Sequence, residues 1–143
     1  MPQIERIISR GQLVPLTFMQ DALAASQTDV QLLVAEVASA ASNAVDGWVA
    51  PFAGEVVAIS ARLSAAGSAG SVTVGATVDG TEKTDPTLSI TTAQVAYDTA
   101  PRGSAQFAAG SLIGAEITTS SDWNGTTADL AVVVWVLLYV DGI

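Results

Sequence analysis

The stretch WVAPFAGEVVAISARL, Trp48 to Leu63, decides the fold. Pro51 stiffens the entry to it, and Gly54 permits a corner. Beyond the corner the residues alternate. Val57, Ile59, Ala61 and Leu63 point one way, and Val56, Ala58, Ser60 and Arg62 point the other. A period of two belongs to a half-buried strand, whereas an amphipathic helix repeats every three to four residues.

The same period recurs on both sides. Upstream, Val30, Leu32 and Val34 alternate toward Val37. Ser39, Ser42, Asn43 and Asp46-Gly47 then break the pattern, which predicts a strand followed by a loop. Downstream, Val72, Val74, Ala76 and Val78 share one face, and Asp79-Gly80 signals a hairpin. Leu88 and Ile90 belong to a further strand, another lies around Val95 to Tyr97, and another ends at Phe107. Ile113, Ala115 and Ile117 turn inward, Asn124-Gly125 is a second hairpin signal, and DLAVVVWVLLYV closes the series. No helical pattern intervenes. The expectation is an all-β chain: an antiparallel jelly-roll β-sandwich of about eight strands over residues 29–143, with an extended N-terminal arm over residues 1–28.

The arm stands apart in composition. Pro2, Gly11 and Pro15 interrupt it, and Arg6 and Arg10 balance Glu5 and Asp21, so the rest of the chain carries the whole net charge of −9. Ile4, Ile7 and Ile8 have the spacing of a short helical turn, and Phe18, Met19 and Leu23 suggest another after Thr17 as N-cap. Neither turn is long enough to be stable alone. Ile4, Ile7, Ile8, Leu13, Phe18 and Met19 are therefore expected to lie on a partner surface.

Composition excludes several chemistries. The 143 residues contain no Cys and no His, which removes thiol nucleophiles, disulfides, imidazole bases and Cys/His metal sites. A net charge of −9 repels phosphate backbones and anionic lipid, so neither nucleic acid nor membrane is expected as a partner. The N-terminal residues lack the continuous apolar run of a secretory signal. The run from Leu130 to Val140 is too short to span a bilayer as a helix. Only 13% of residues are charged, a low share for a surface that faces water alone.

The last strand is apolar on both faces. Leu130, Val132, Val134, Val136 and Leu138 form one; Ala131, Val133, Trp135, Leu137 and Tyr139 form the other. An antiparallel strand with one wet face should alternate. The second face therefore needs cover, from the arm or from other subunits. Val133, Trp135, Leu137 and Tyr139 are the expected interface of a homotrimer.

Fourteen carboxylates raise the question of a site. A glycosidase needs two in one cleft, and only DGTEKTD and SSDW bring acids together or beside a Trp. Both read as solvated turns. Asp79, Glu82 and Asp85 could hold Ca²⁺, but their spacing is not that of an EF-hand loop. No S-x-x-K dyad occurs. Asn124-Gly125-Thr126 matches a glycosylation acceptor. Trp123 at the base of that turn is expected to pack on its neighbours, with stacking on a sugar as the fibre-tip alternative. No catalytic residue, cofactor or metal is assigned.

Two resemblances follow. APFAGEVVAIS resembles the Ala-Pro-x-x-Gly-x-Val strand of biotinyl and lipoyl domains, which implies a modified lysine on a hairpin tip. The one lysine, Lys83, lacks the Met flanks of biotin sites, and Glu82 stands where lipoyl domains carry Asp. Over Gly47 to Val140 the succession GWVAPFAGEVVAISARL, GSVTVGATVDGTEK and FAAGSLIGAEITTSSDWNGTTADLAVVVWV resembles the small jelly-roll structural proteins of tailed bacteriophages, the head decoration (cement) proteins and head- or tail-fibre domains. That resemblance implies a non-enzymatic virion protein on the capsid surface, a homotrimer whose partner is the major capsid protein. The alternative it implies is the receptor- or carbohydrate-binding tip of a phage fibre.

Overall fold

The computed structural model describes residues 11–37 and 45–140. Within them lie β1 (Gln12–Gln20), β2 (Val30–Gln31), β3 (Trp48–Val49), β4 (Gly54–Leu63), β5 (Val72–Val78), β6 (Thr81–Ile90), β7 (Val95–Thr99), β8 (Gln106–Phe107), β9 (Leu112–Thr119) and β10 (Leu130–Leu138). They form two antiparallel sheets packed as a sandwich. The first sheet runs β1-β10-β4-β7, with β8 also on β4. The second runs β2-β9-β5-β6, with β3 also on β9. The ten strands exceed the expected eight, and β3 and β8, two residues each, are too short to show a sequence period.

The core lies between the sheets. Phe18, Ile59, Leu63, Val132 and Val134 of the first sheet face Val72, Val74, Ile90, Ile113 and Ile117 of the second, and all are buried. The inward sets of β5, β9 and β10 follow the alternation of the sequence. In β4 the alternation slips. A bulge sets Trp135 opposite Ala58 but Val136 opposite Val56, leaving Val57 as the extra residue. Val56 rather than Val57 therefore joins Ile59 in the core. Gly54 is needed for close approach rather than for a corner. A side chain there would strike the Leu137 carbonyl and the Phe107 ring.

The largest correction concerns the N-terminal arm. Residues 12–20 are a full edge strand, paired with β10 from Gln12↔Leu138 to Gln20↔Leu130. Phe18 is fully buried in the core, so it is not a partner-binding residue, and the helical turn expected at Phe18–Leu23 does not form. Pro15 suggested a break, yet an edge strand tolerates proline where the missing N–H would face outward. Gln20, a polar residue at an inward position, is satisfied by reciprocal amide bonds with Gln27 at 2.8 and 3.1 Å. The sandwich thus begins at Gln12, not at Asp29. Ile4, Ile7 and Ile8 lie outside the described residues.

The two expected hairpins fare differently. Asp79 and Gly80 both take positive φ, 52° and 77°, and join β5 to β6. Asn124-Gly125 instead lies on a crossover, because β9 and β10 belong to different sheets. DGTEKTD is likewise no free turn, since Glu82, Lys83 and Asp85 lie on β6.

Candidate functional site: the outer face of the first sheet

Register builds this face strand by strand. Leu13, Pro15, Thr17 and Met19 of β1 lie beside Leu137, Trp135, Val133 and Ala131 of β10. Ala58, Ser60 and Arg62 of β4 continue the rows, and Thr99, Tyr97 and Val95 of β7 end them. Arg62 is the one charged side chain among these positions. The small Ser60 and Ala131 leave a shallow groove of about 330 Å³ between Val133 and Tyr97.

The sequence assigned Val133, Trp135, Leu137 and Tyr139 to a subunit interface. The first three lie half-buried on this face. Tyr139 follows the end of β10 and lies near Glu55 and Arg102. Among the expected arm residues, Leu13 is 54% exposed at the edge and Met19 is half-buried. Because β1 pairs beside β10 rather than lying over it, the described part of the arm leaves the face uncovered.

Sequence reading missed two polar clusters. At the rim of the face, Glu55 is buried, receives the Gly103 N–H and contacts the Arg102 guanidinium. Burial works to raise its carboxyl. The Gly103 N–H, Arg102 and the Tyr139 hydroxyl outweigh burial and hold it below the ordinary carboxylate value. Arg102 lies 47 residues away in a Gly-containing loop, so no local signal announced the pair.

On the second sheet, Gln31 sits opposite Glu116, and Gly75 lies on its other side. The Glu82 carboxylate lies over Gly75, in space that a side chain would fill. The carboxylate oxygens of Asp29, Glu82 and Glu116 consequently all lie within 4.8 Å of one another. Gln31 Nε2 donates to Glu116 Oε2 at 3.0 Å. The expected trio of Asp79, Glu82 and Asp85 gives way to this one, and Asp79 accepts the Leu112 N–H instead, at 2.8 Å. A glycine inside a strand was the available signal, since it marks a close approach.

Burial, and after it the neighbouring Glu82 and Asp29, raise the Glu116 carboxyl above its ordinary value. The fold therefore binds a proton there more tightly than the unfolded chain does. The group costs stability as pH rises through its raised value. Glu116→Gln is expected to stabilise the fold at neutral pH by up to about 1 kcal/mol, the size of a facing like-charge pair. The gain should vanish in acid, as denaturant unfolding at several pH values would show.

Trp123 is buried, with its ring against Gly67 and Gly125 and its Nε1 donating to the Leu23 carbonyl at 3.1 Å. That placement withdraws it from sugar stacking. Asn124 turns its carboxamide onto Ser68 and Ala69. No family model matches the chain, and no curated protein matches it in sequence. Among the described residues no helix is long and apolar enough to cross a membrane.

Proposed function

We propose that the chain is a non-enzymatic virion subunit that decorates and stabilises a phage capsid as a homotrimer, and that its sandwich is a jelly roll. Strand order supports the second point. Without β3 and β8, which pair off the main path of each sheet, the strands in chain order lie first-eighth-third-sixth in one sheet and second-seventh-fourth-fifth in the other. Apart from the β5–β6 hairpin, successive strands thus alternate between sheets, as in two interlocked Greek keys.

The observation that carries the reading is the outer face of the first sheet. Trp135, Val133 and Leu137 hold a mainly apolar surface in the middle of a sheet, and exposed apolar patches of that kind serve association. Arg62 is the one charged side chain along its middle rows, and Glu55, Glu36 and Asp129 stand only at its ends, so copies meet here with little repulsion. The fibre-tip alternative loses its stacking residue with the burial of Trp123.

Light scattering should return at least three times the 14.5 kDa chain mass. Trp135→Glu should remove the three-fold contact while leaving the circular dichroism of the sandwich intact. A parent chain that stays monomeric at micromolar concentration would refute the trimer. The decorating role has a separate test. A ligand that binds only the intact shell stabilises it by ~2.7 kcal/mol per site at a hundredfold excess over Kd. Particles heated with the protein should release their genome at a higher temperature than bare ones, and equal release temperatures would refute the role.

A further inference from the structure

The two edges of the first sheet are built differently. At β1 several outward-facing backbone groups are occupied or missing. Met19 exchanges hydrogen bonds with Leu33, Asp21 N–H donates to the Val37 carbonyl, the Trp48 indole reaches the Thr17 carbonyl at 3.4 Å, and Pro15 has no N–H to offer. Such devices are how proteins keep edge strands from pairing with other chains.

At β7 they are absent. Ala100 N–H donates to the Val57 carbonyl and Leu63 N–H to the Gln94 carbonyl. That parity turns the N–H and C=O groups of Ala96 and Asp98 toward β4, and those of Val95, Tyr97 and Thr99 outward. Among the described residues nothing bonds to these outward groups. Their side chains are among the most exposed apolar ones, Tyr97 at 82% and Val95 at 62%. No Pro or Lys guards the edge, and its one inward-turned charge, Asp98 opposite the core residue Ile59, is engaged within the subunit. The one carboxylate on β7, Asp98, is half-buried and accepts the Thr87 N–H at 3.1 Å.

We infer that β7 is a docking edge for β7 of a second copy of this chain, paired antiparallel about Tyr97, so that the first sheets of two copies run on as one. Open backbone donors and acceptors call for an extended strand rather than a globular surface. The strand is self-complementary about a two-fold axis. Tyr97 then faces its own counterpart, Val95 faces Thr99, and Ala96 faces Asp98, so no two carboxylates oppose each other. Each outward-facing pair closes about two hydrogen bonds. Two bodies of charge −9 approach best along an edge that presents no free carboxylate and has Arg62 beside Val95. A two-fold contact differs from the three-fold one proposed above. Where that reading holds, β7 joins one trimer to the next; where it does not, β7 makes a dimer.

The test uses the full chain. Tyr97→Pro takes nothing from the β4–β7 ladder, because the Tyr97 N–H faces away from β4, yet it blocks an added strand. Tyr97→Lys guards the edge with a charge and keeps every backbone group. Light scattering should find that both variants halve the mass of the parent assembly: hexamer to trimer if the trimer reading holds, dimer to monomer if it fails. Hydrogen exchange should find the amides of Val95, Tyr97 and Thr99 slow in the associated parent and fast in Tyr97→Lys. The inference is overturned if the Lys variant keeps the parent mass, if those three amides exchange freely in the associated parent, or if the parent is monomeric, whether its edge is bare or covered by its own chain.

Discussion

Replacing Trp123 with alanine is expected to lower folding stability by about 3–5 kcal/mol, the range for a buried aromatic truncated in a packed interior. Three connections meet on this side chain. Its ring lies against Gly67 in the β4–β5 loop and Gly125 in the β9–β10 crossover, and its indole N–H ties the carbonyl of Leu23 between β1 and β2. Glycine walls are what place the expectation at the upper end. A cavity bounded by side chains collapses partly as they turn in, but Gly67 and Gly125 have none to contribute. Gly70, at φ 80°, lies against the Trp123 backbone and holds the loop in place. Trp123→Phe should cost less, since the ring volume is largely kept and one hydrogen bond is lost, worth about 1 kcal/mol. Urea unfolding of the three proteins measures both. A loss below about 1 kcal/mol for the alanine variant would mean that the crossover is not anchored here.

What could be read from the sequence follows from how each strand is buried. β5, β9 and β10 each have one fully apolar inward set, so their period of two is plain in Val72-Val74-Ala76, Ile113-Ala115-Ile117 and Val132-Val134-Val136. β1 has the same period in Val14, Leu16 and Phe18. Pro15 and the polar Gln20 mask it, and each is accommodated by something distant: an outward-facing edge position for the proline, Gln27 for the glutamine. The bulge at Val57 adds one residue to a strand without changing its composition, so local alternation points to the wrong valine. Trp123 has polar neighbours in the sequence, which give no local sign of how deeply it is buried. Its burial comes from Gly67, on the distant β4–β5 loop, together with the nearby Gly125. The apolar face around Trp135 was legible because β10 is apolar on both sides, a pattern that needs no partner to be seen. Glu55, Glu82 and Glu116 acquire their surroundings only through register, and register is a tertiary fact.

Glu55→Ala is expected to cost about 2–3 kcal/mol, the size of a buried hydrogen bond to a charged group together with the donors it leaves unpaired. The Gly103 N–H carries most of that loss. Arg102 is 68% exposed, so its share is that of a surface ion pair, and Arg102→Ala should cost much less than Glu55→Ala. The pH dependence separates these contributions. The Glu55 carboxyl is held below its ordinary value in the fold, so its stabilisation is fully present above the unfolded-state value, near ~4.3 for glutamate. It is lost as pH falls through the lower folded value. Glu55→Gln keeps the shape but presents an amide to the two donors, so its stability gap from the parent should be widest at neutral pH and should close in acid. A gap that stayed constant down to the acid transition would show that the charge of Glu55 contributes nothing. The Tyr139 hydroxyl lies near the same carboxylate just past β10, at the rim of the outer face. If that face is where copies meet, Glu55 sets the position of one of its aromatic residues before any partner arrives. Glu55→Gln should then weaken assembly more than its loss of folding stability accounts for, and light scattering of fully folded protein across a dilution series reads the difference.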